Sequence, residues 1–446
     1  MKKQLLLVLA ISASLGTIAQ NRVAKSRIQL PPNAKAVPVR QHMGDPYQIP
    51  FNTNSSLGYV AATPAMRTSQ AITEATIGKT TYDLQTNSAI LTHCVNNGDG
   101  TISAAWTMIP VGGASAARGA GYNYYNGASW GPIPTARVEP NDRTGFVSIG
   151  VTASGKEMVI GHSNTAGGML LTSRPVKGTG PWTSEAAALG QGANDTWAKM
   201  AIGGANGETV HTIWNGSGTS ATPFLGQDGP ILYSRSIDGG STFPILRTLL
   251  APIDSTLNLG YGADCYSMDT HGDTVAIVAG EFTTDLTLLK STDNGNTWTA
   301  TTLQAFPIPF YNDATDSLPD FDGDGVSDDI ECASGDAHVM LDNSGMAHVF
   351  WSNILITDTS ASTTLGYYPN GIDGGILYWN ESFGANPPDT IANAEDINGD
   401  GNFTIATGSQ GGGRIGLYRG SITQSPTSGI DAVGNLYLSY ISLCET

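Results

Sequence analysis

Ser236-Ile237-Asp238-Gly239-Gly240-Ser241-Thr242-Phe243 and Ser291-Thr292-Asp293-Asn294-Gly295-Asn296-Thr297-Trp298 are two copies of one pattern, S-x-D-x-G-x-T-[WF]. Each follows a short strand-like run, Ile231 to Arg235 and Leu286 to Lys290. The physics of the pattern is local. An Asp carboxylate accepts bonds from backbone N–H groups of its own turn, the Gly supplies positive φ, and the aromatic ring packs beneath a hairpin. The pattern therefore decides structure and carries no chemistry of its own.

A larger unit surrounds these turns from about residue 72 onward. An alternating strand ends in a Gly or Asn turn, and a second alternating strand follows. The second strands are Thr101–Trp106, Glu157–Gly161, Thr209–Trp214, Thr274–Ala279, Ala347–Trp351 and Asn435–Tyr440. Six such units spaced by roughly 50 to 90 residues fit the blades of a β-propeller with loops of unequal length. The expected fold is an all-β, six-bladed propeller of four-stranded antiparallel blades. Thr76–Asp83 is expected to be the outermost strand of the last blade, closing the ring. That blade then lacks a strand at Thr446, so the sequence reads as truncated at its C-terminus. Alternation puts the turns after Arg235 and Lys290 on one face, and the longest loops (215–229, 304–335, 352–373 and 381–425) on the other.

Composition agrees with short strands. Charged residues make up 13% of the chain, against about 25% in a typical globular protein, and 55 glycines fill much of the gap. Residues 1–20 read as a secretory signal peptide, with Lys2-Lys3, an apolar run from Leu5 to Leu15 and the small residue Ala19. Residues 21–70 read as a basic, Pro-containing linker, and 71–446 as the propeller. No later stretch is long and apolar enough to span a bilayer. The formal charge is −17; all seven Lys and Arg of residues 1–40 come without an acid, leaving 14 basic against 38 acidic groups beyond them. Such a surface repels nucleic acid and anionic membranes. The expected location is secreted or cell-surface, and the expected state monomeric.

The two turns, the repeat and the export signal together resemble a secreted Asp-box (BNR-repeat) propeller of the sialidase superfamily, over about residues 75–446. Tyr82–Ser88 and Gly121–Pro132 resemble exported proteins of Bacteroidetes type, many of which end in a type IX secretion sorting domain. In that family the resemblance makes Ser236, Asp238, Gly240, Thr242 and Phe243, and Ser291, Asp293, Gly295, Thr297 and Trp298, structural. An active sialidase of the family clamps the substrate carboxylate with three Arg, the first in an [FY]-R-I-P motif, beside a Tyr–Glu pair and an acid/base Asp. The motif is missing: Phe306-Pro307-Ile308-Pro309 lacks the Arg. Arg118, Arg137, Glu139 and Arg143 form the best remaining candidate cluster, the alternative being a solvated ion-pair network. Arg235, next to a turn, is a poor clamp.

The strongest chemical signal lies elsewhere. Asp320-Phe321-Asp322-Gly323-Asp324-Gly325-Val326-Ser327-Asp328-Asp329-Ile330-Glu331 carries acids at loop positions 1, 3, 5, 9 and 12 and Gly at 6. This is the spacing of an EF-hand-like calcium loop. Asp320, Asp322, Asp324, Asp328 and Glu331 would give carboxylate oxygens and Val326 a carbonyl; the alternative is a metal-free acidic turn. Asp396, Asn398, Asp400 and Asn402 repeat part of the spacing as a weaker second site. Cys265 and Cys332 precede the inner strands of neighbouring blades and are expected to form a disulfide, leaving Cys94 and Cys444. His162, His211 and His348 are expected to pack between blades. The leading functional expectation is a calcium-stabilised, non-catalytic module for a glycan or a cell-surface protein. The alternative is a sialidase-like glycoside hydrolase using Arg118, Arg137, Glu139 and Arg143.

Overall fold

The computed structural model describes residues 74–443, apart from 140, 164–166, 186–188, 190–194, 359–364, 370–373 and 395–420. Asp396, Asn398, Asp400, Asn402 and Cys444 thus lie outside the described residues, as do the signal peptide and most of the linker. Among the described residues the regular structure is β-strand with short 3-10 turns, and no helix is long and apolar enough to cross a membrane.

The strands form six antiparallel sheets in chain order. The first holds β1 (Cys94–Asn96), β2 (Ile102–Met108) and β3 (Gly119–Tyr125). The second holds β4 (Thr144–Val151), β5 (Glu157–Ser163), β6 (Gly168–Arg174) and β7 (Thr183–Glu185). The third holds β8 (Thr196–Gly203), β9 (Thr209–Asn215), β10 (Ile231–Ser236) and β11 (Ile245–Leu249). The fourth holds β12 (Tyr266–His271), β13 (Thr274–Ala279), β14 (Leu286–Ser291) and β15 (Thr299–Gln304). The fifth is larger, with β16 (Ile330–Ala333), β17 (His338–Leu341), β18 (Ala347–Thr357), β19 (Gly366–Pro369), β20 (Ile376–Asn380) and β21 (Asp389–Ala392). The sixth is a hairpin of β22 (Thr423–Ile430) and β23 (Leu436–Ser442).

Packing follows the same order. β2 lies on β4, β4 on β8, β8 on β12, β12 on β17, and β17 and β18 on β22. The interfaces among the first five sheets each hold an apolar cluster. Met158, Ile160 and Leu171 of the second sheet meet Met200, Trp214 and Leu232 of the third. Ile213 and Tyr233 of the third meet Tyr266, Ile277 and Leu289 of the fourth. Ala276 and Leu288 of the fourth meet Val339, Val349 and Trp351 of the fifth. A strand between two neighbours is covered on both faces, so β5, β6, β9 and β10 are buried along their whole length. Their polar residues, such as His211, Thr212, Ser234 and Arg235, are therefore buried along with the apolar ones.

The two repeated turns close the β10–β11 and β14–β15 hairpins and are nearly identical. Asp293 Oδ1 accepts from Ser291 Oγ, Asn296 N and Thr297 N, and Oδ2 accepts from Thr297 Oγ1. Asp238 holds Ser236, Ser241 and Thr242 in the same way. Gly295 has φ 78°, and a Cβ there would lie 2.0 Å from the Tyr233 hydroxyl. Trp298 packs edge-on to Tyr233 at 5.2 Å.

Three expectations fail. Residues 76–83 form no strand; they lie against the first sheet, where Thr81 N donates to Ile109 O and Thr80 Oγ1 to Thr107 O. Ile109 N and Thr107 N donate in return to Thr80 Oγ1 and Gln85 Oε1, so polar side chains satisfy the end of β2. Nor are the sheets uniformly four-stranded among the described residues, since the first has three strands and the fifth six. Cys265 and Cys332 are separate thiols. Cys265 belongs to the apolar cluster between the third and fourth sheets, whereas Cys332 sits on β16 among Phe306, Tyr311, Leu318 and Ile356. β16 is an added strand pairing with the far half of β18, which displaces Cys332 from the start of the inner strand β17.

Candidate functional site

Because neighbouring strands alternate in direction, β4, β8 and β12 start at the end of their sheets where β5, β9 and β13 stop. The repeated turns lie at the opposite end. Two of these starts are bulged: pairing slips between Gly145 and Ser148, and between Thr196 and Lys199. Phe146 (φ 52°) and Trp197 (φ 58°) sit inside the slips. A bulge re-aims side chains, and bulky residues at positive φ are rare.

The re-aimed rings cluster beside Arg118, the residue just before β3, through Tyr82. Arg118 is 6% exposed; its Nε donates to Thr144 O (2.9 Å) and one terminal nitrogen to the Tyr82 hydroxyl (3.3 Å). The guanidinium lies 5.2 Å from the Tyr82 ring centre. It forms no ion pair with any described residue. Gly145 makes the space, since a Cβ there would sit 2.8 Å from Arg118 Cζ. Phe146 stacks on His162 at 5.3 Å and meets Tyr82 edge-on at 6.2 Å. Trp197 stands edge-on to both Phe146 and His162. Burial, and then the charge of Arg143, lower the Arg118 pKa. Burial, followed by the charges of Arg118 and Arg143, pushes His162 down to about 3.

The other members of the expected cluster are engaged elsewhere. Arg137 donates to the carbonyls of Glu139, Ala116 and Arg118. Arg143 donates to Ser115 O and Oγ. Glu139 is 1% exposed, and its carboxylate accepts from Ala120 N and Thr144 Oγ1. Burial raises its pKa. The four residues are neighbours, yet they do not converge on one point. A Tyr–Glu contact does exist, Tyr122 OH to Glu157 Oε1 at 2.8 Å. It lies towards the opposite end, where Glu157 is fully buried and pairs with Arg174 (2.5 Å), itself sandwiched between Tyr122 and Trp182. This is a brace between the first two sheets.

Trp197 also lines a cavity of about 280 Å³ between the third and fourth sheets. Asn215, Ser217, Asp228 and Tyr261 are among its other walls. Asn215 fixes the wall by donating to Gly229 O (2.9 Å) and accepting from Asp264 N (3.1 Å).

The acidic loop is on the same end, in the connection from β15 to β16. Carboxylate oxygens of Asp320, Asp322 and Asp328 lie within 4.8 Å of one another. Asp320 also accepts from Gly323, Asp324 and Gly325 N, and Asp328 from Phe321 and Asp322 N. These bonds, Gly325's first, lower the Asp320 pKa. Three converging carboxylates are hard oxygen donors suited to Ca²⁺. Asp324 instead accepts from Val326 N, and Glu331 accepts from Asn353 Nδ2.

Sequence reasoning found Arg118 but missed Tyr82, Phe146 and Trp197, and it read His162 only as packing. The available signal was positional: Phe146 and Trp197 open their strands directly after long connections.

No known protein family matches the sequence, and no curated protein does. Among solved structures, an ulvan lyase is 11% identical over 70% of this chain and 73% of its own, with a TM-score of 0.41. The intramolecular trans-sialidase of Ruminococcus gnavus is 12% identical over 56% of this chain, with a TM-score of 0.32, and the match spans 49% of its length. A protein of unknown function from Dyadobacter fermentans is 10% identical over 67% of this chain and 89% of its own, with a TM-score of 0.35. The similar structures thus include sialidases and polysaccharide lyases. What the site does follows from its own geometry.

Proposed function

We propose that the chain is a secreted, calcium-stabilised β-propeller of the Asp-box type, acting as a non-catalytic module that binds an acidic glycan. The propeller reading is supported by six sheets stacked in chain order, each inner strand on the next. The binding reading rests on one observation: Arg118 is a nearly buried guanidinium without a counter-ion among the described residues, lying on the Tyr82 ring beside the linked rings of Phe146, His162 and Trp197, and we read these rings as the walls of an anion recess. Burying an unpaired charge is costly, so an anion entering the recess recovers that cost. A guanidinium fork fits a carboxylate or sulfate, and aromatic walls fit the apolar faces of a sugar. The surrounding acidity opposes polyanions at long range, which favours a ligand with one charge set among neutral groups. Glycoside hydrolysis calls for two carboxyls about 5–10 Å apart across the bond. Glu139, the acid nearest to Arg118 in this cluster, is committed to Ala120 and Thr144.

Arg118→Met is expected to weaken binding to anionic glycans on an array at least about tenfold, the scale of one charge-assisted contact. Undiminished binding sinks this reading, and turnover of a fluorogenic sialoside by the wild-type chain would replace it with a hydrolase. For the acidic loop, calcium should raise the melting temperature and a chelator lower it, with Asp320→Asn abolishing the difference. A melting temperature indifferent to both would remove the metal.

A further inference from the structure

Trp197 collects three irregularities at one residue. It is an aromatic at φ 58°, its indole Nε1 is buried without an acceptor among the described residues, and it both meets the rings of Phe146 and His162 near Arg118 and lines the neighbouring cavity. Backbone strain persists only where surrounding structure enforces it, and a buried polar atom without a partner is an exception to account for. The backbone at this strained position is held by Tyr266 OH, which donates to Trp197 O at 2.7 Å.

The cavity offers chemistry opposite to that of the recess. Its charged group is Asp228, an exposed side chain whose carboxylate has no partner among the described residues, while the Asp228 backbone is fixed by Leu259 O and Tyr261 N. Ser217 and Thr196 line the same space, their hydroxyls without a partner among the described residues, and Trp197 is part of its wall. At about 280 Å³ the cavity falls just below the roughly 300–1,000 Å³ of drug-sized ligand sites. A carboxylate beside an aromatic wall suits vicinal hydroxyls on one side of a sugar ring and its C–H face on the other, and it repels an acidic sugar.

We propose that this cavity is a subsite for one neutral sugar ring, stacked on Trp197 and hydrogen-bonded by Asp228, adjoining the anion recess at Arg118. It rests on the glycan-binding reading above and narrows it: the ligand is an acidic oligosaccharide whose charged residue sits at Arg118 and whose neutral neighbour crosses Trp197. A free acidic monosaccharide fills half of such a site.

The test is an array carrying uronate-, sulfate- and sialate-bearing oligosaccharides, the matching acidic monosaccharides, and neutral oligosaccharides. Wild-type protein should bind the acidic oligosaccharides at least about tenfold more tightly than the monosaccharides, as expected when one stacked ring adds about 1.4 kcal/mol. Asp228→Ala should reduce oligosaccharide binding to the monosaccharide level and leave monosaccharide binding unchanged, whereas Trp197→Ala, which also removes a ring beside Arg118, should weaken both. Asp228 is exposed, so Asp228→Ala and Ser217→Ala keep the test decisive if Trp197→Ala misfolds. Wild-type affinity for acidic oligosaccharides in both Asp228→Ala and Ser217→Ala overturns the subsite while leaving the recess intact. Absence of any anionic glycan binding by the wild-type chain overturns the recess itself.

Discussion

At the scale of single residues, the Asp of each repeated turn has the clearest consequence. For Asp238, burial opposes ionisation, but bonds from Ser236, Thr242 and Ser241 outweigh it and hold the pKa at about 2. A carboxyl held below its unfolded value of about 3.9 stabilises the fold above that value and ceases to as pH falls through the folded one. The Asp238 contribution should therefore vanish between about pH 4 and pH 2, and Asp238→Asn should flatten the acid limb of the unfolding curve there. Ser291 is 1% exposed, and its hydroxyl accepts from Gly295 N. Ser291→Ala leaves that N–H unpaired and should cost about 1–3 kcal/mol in denaturant unfolding. His162, at about 3, stays neutral through the physiological range, so glycan affinity should show no inflection near pH 6.5. These turns were legible because every bond in them falls within five residues of sequence. The Arg118 recess was not, because Tyr82, Phe146, His162 and Trp197 come from four separate segments and meet only after two bulges re-aim them.

At the scale of elements, the expected second strands matched almost to their ends in every sheet but the fifth, where Ala347–Trp351 stops six residues short of the end of β18, since turn residues and apolar runs are both local signals. Added strands were not. β16 and β19 pair with the far half of β18, and nothing in Ile330–Ala333 distinguishes an extra strand from a loop, so the disulfide argument inherited a wrong register. The last hairpin carries a different consequence. Among the described residues β23 pairs with β22 alone, and Tyr437 is 59% and Ile441 57% exposed. An exposed apolar edge strand is a template for pairing with another chain. Replacing Tyr437 and Ile441 together by Lys should reduce concentration-dependent self-association in sedimentation without lowering the melting temperature.

At the scale of the whole molecule, stability resides in the seams between sheets. Ser103 and Tyr122 of the first sheet converge with Arg174 on Glu157 of the second. Glu157→Ala strands Arg174 in the interior and should cost about 3–5 kcal/mol, seen as a lower denaturant midpoint. The acidic loop is tied to these seams by one long element. β18 spans eleven residues; its first half pairs with β17 and β20 in the packed body, and its second half with β16, which emerges directly from the loop at Ile330. Trp351 lies between the two halves, fully buried, with its Nε1 donating to Gln304. One continuous backbone thus records two environments. Amide deuterium uptake at 353–356 becomes a gauge of whether the loop is filled, while uptake at 347–350 serves as its own reference on the same strand.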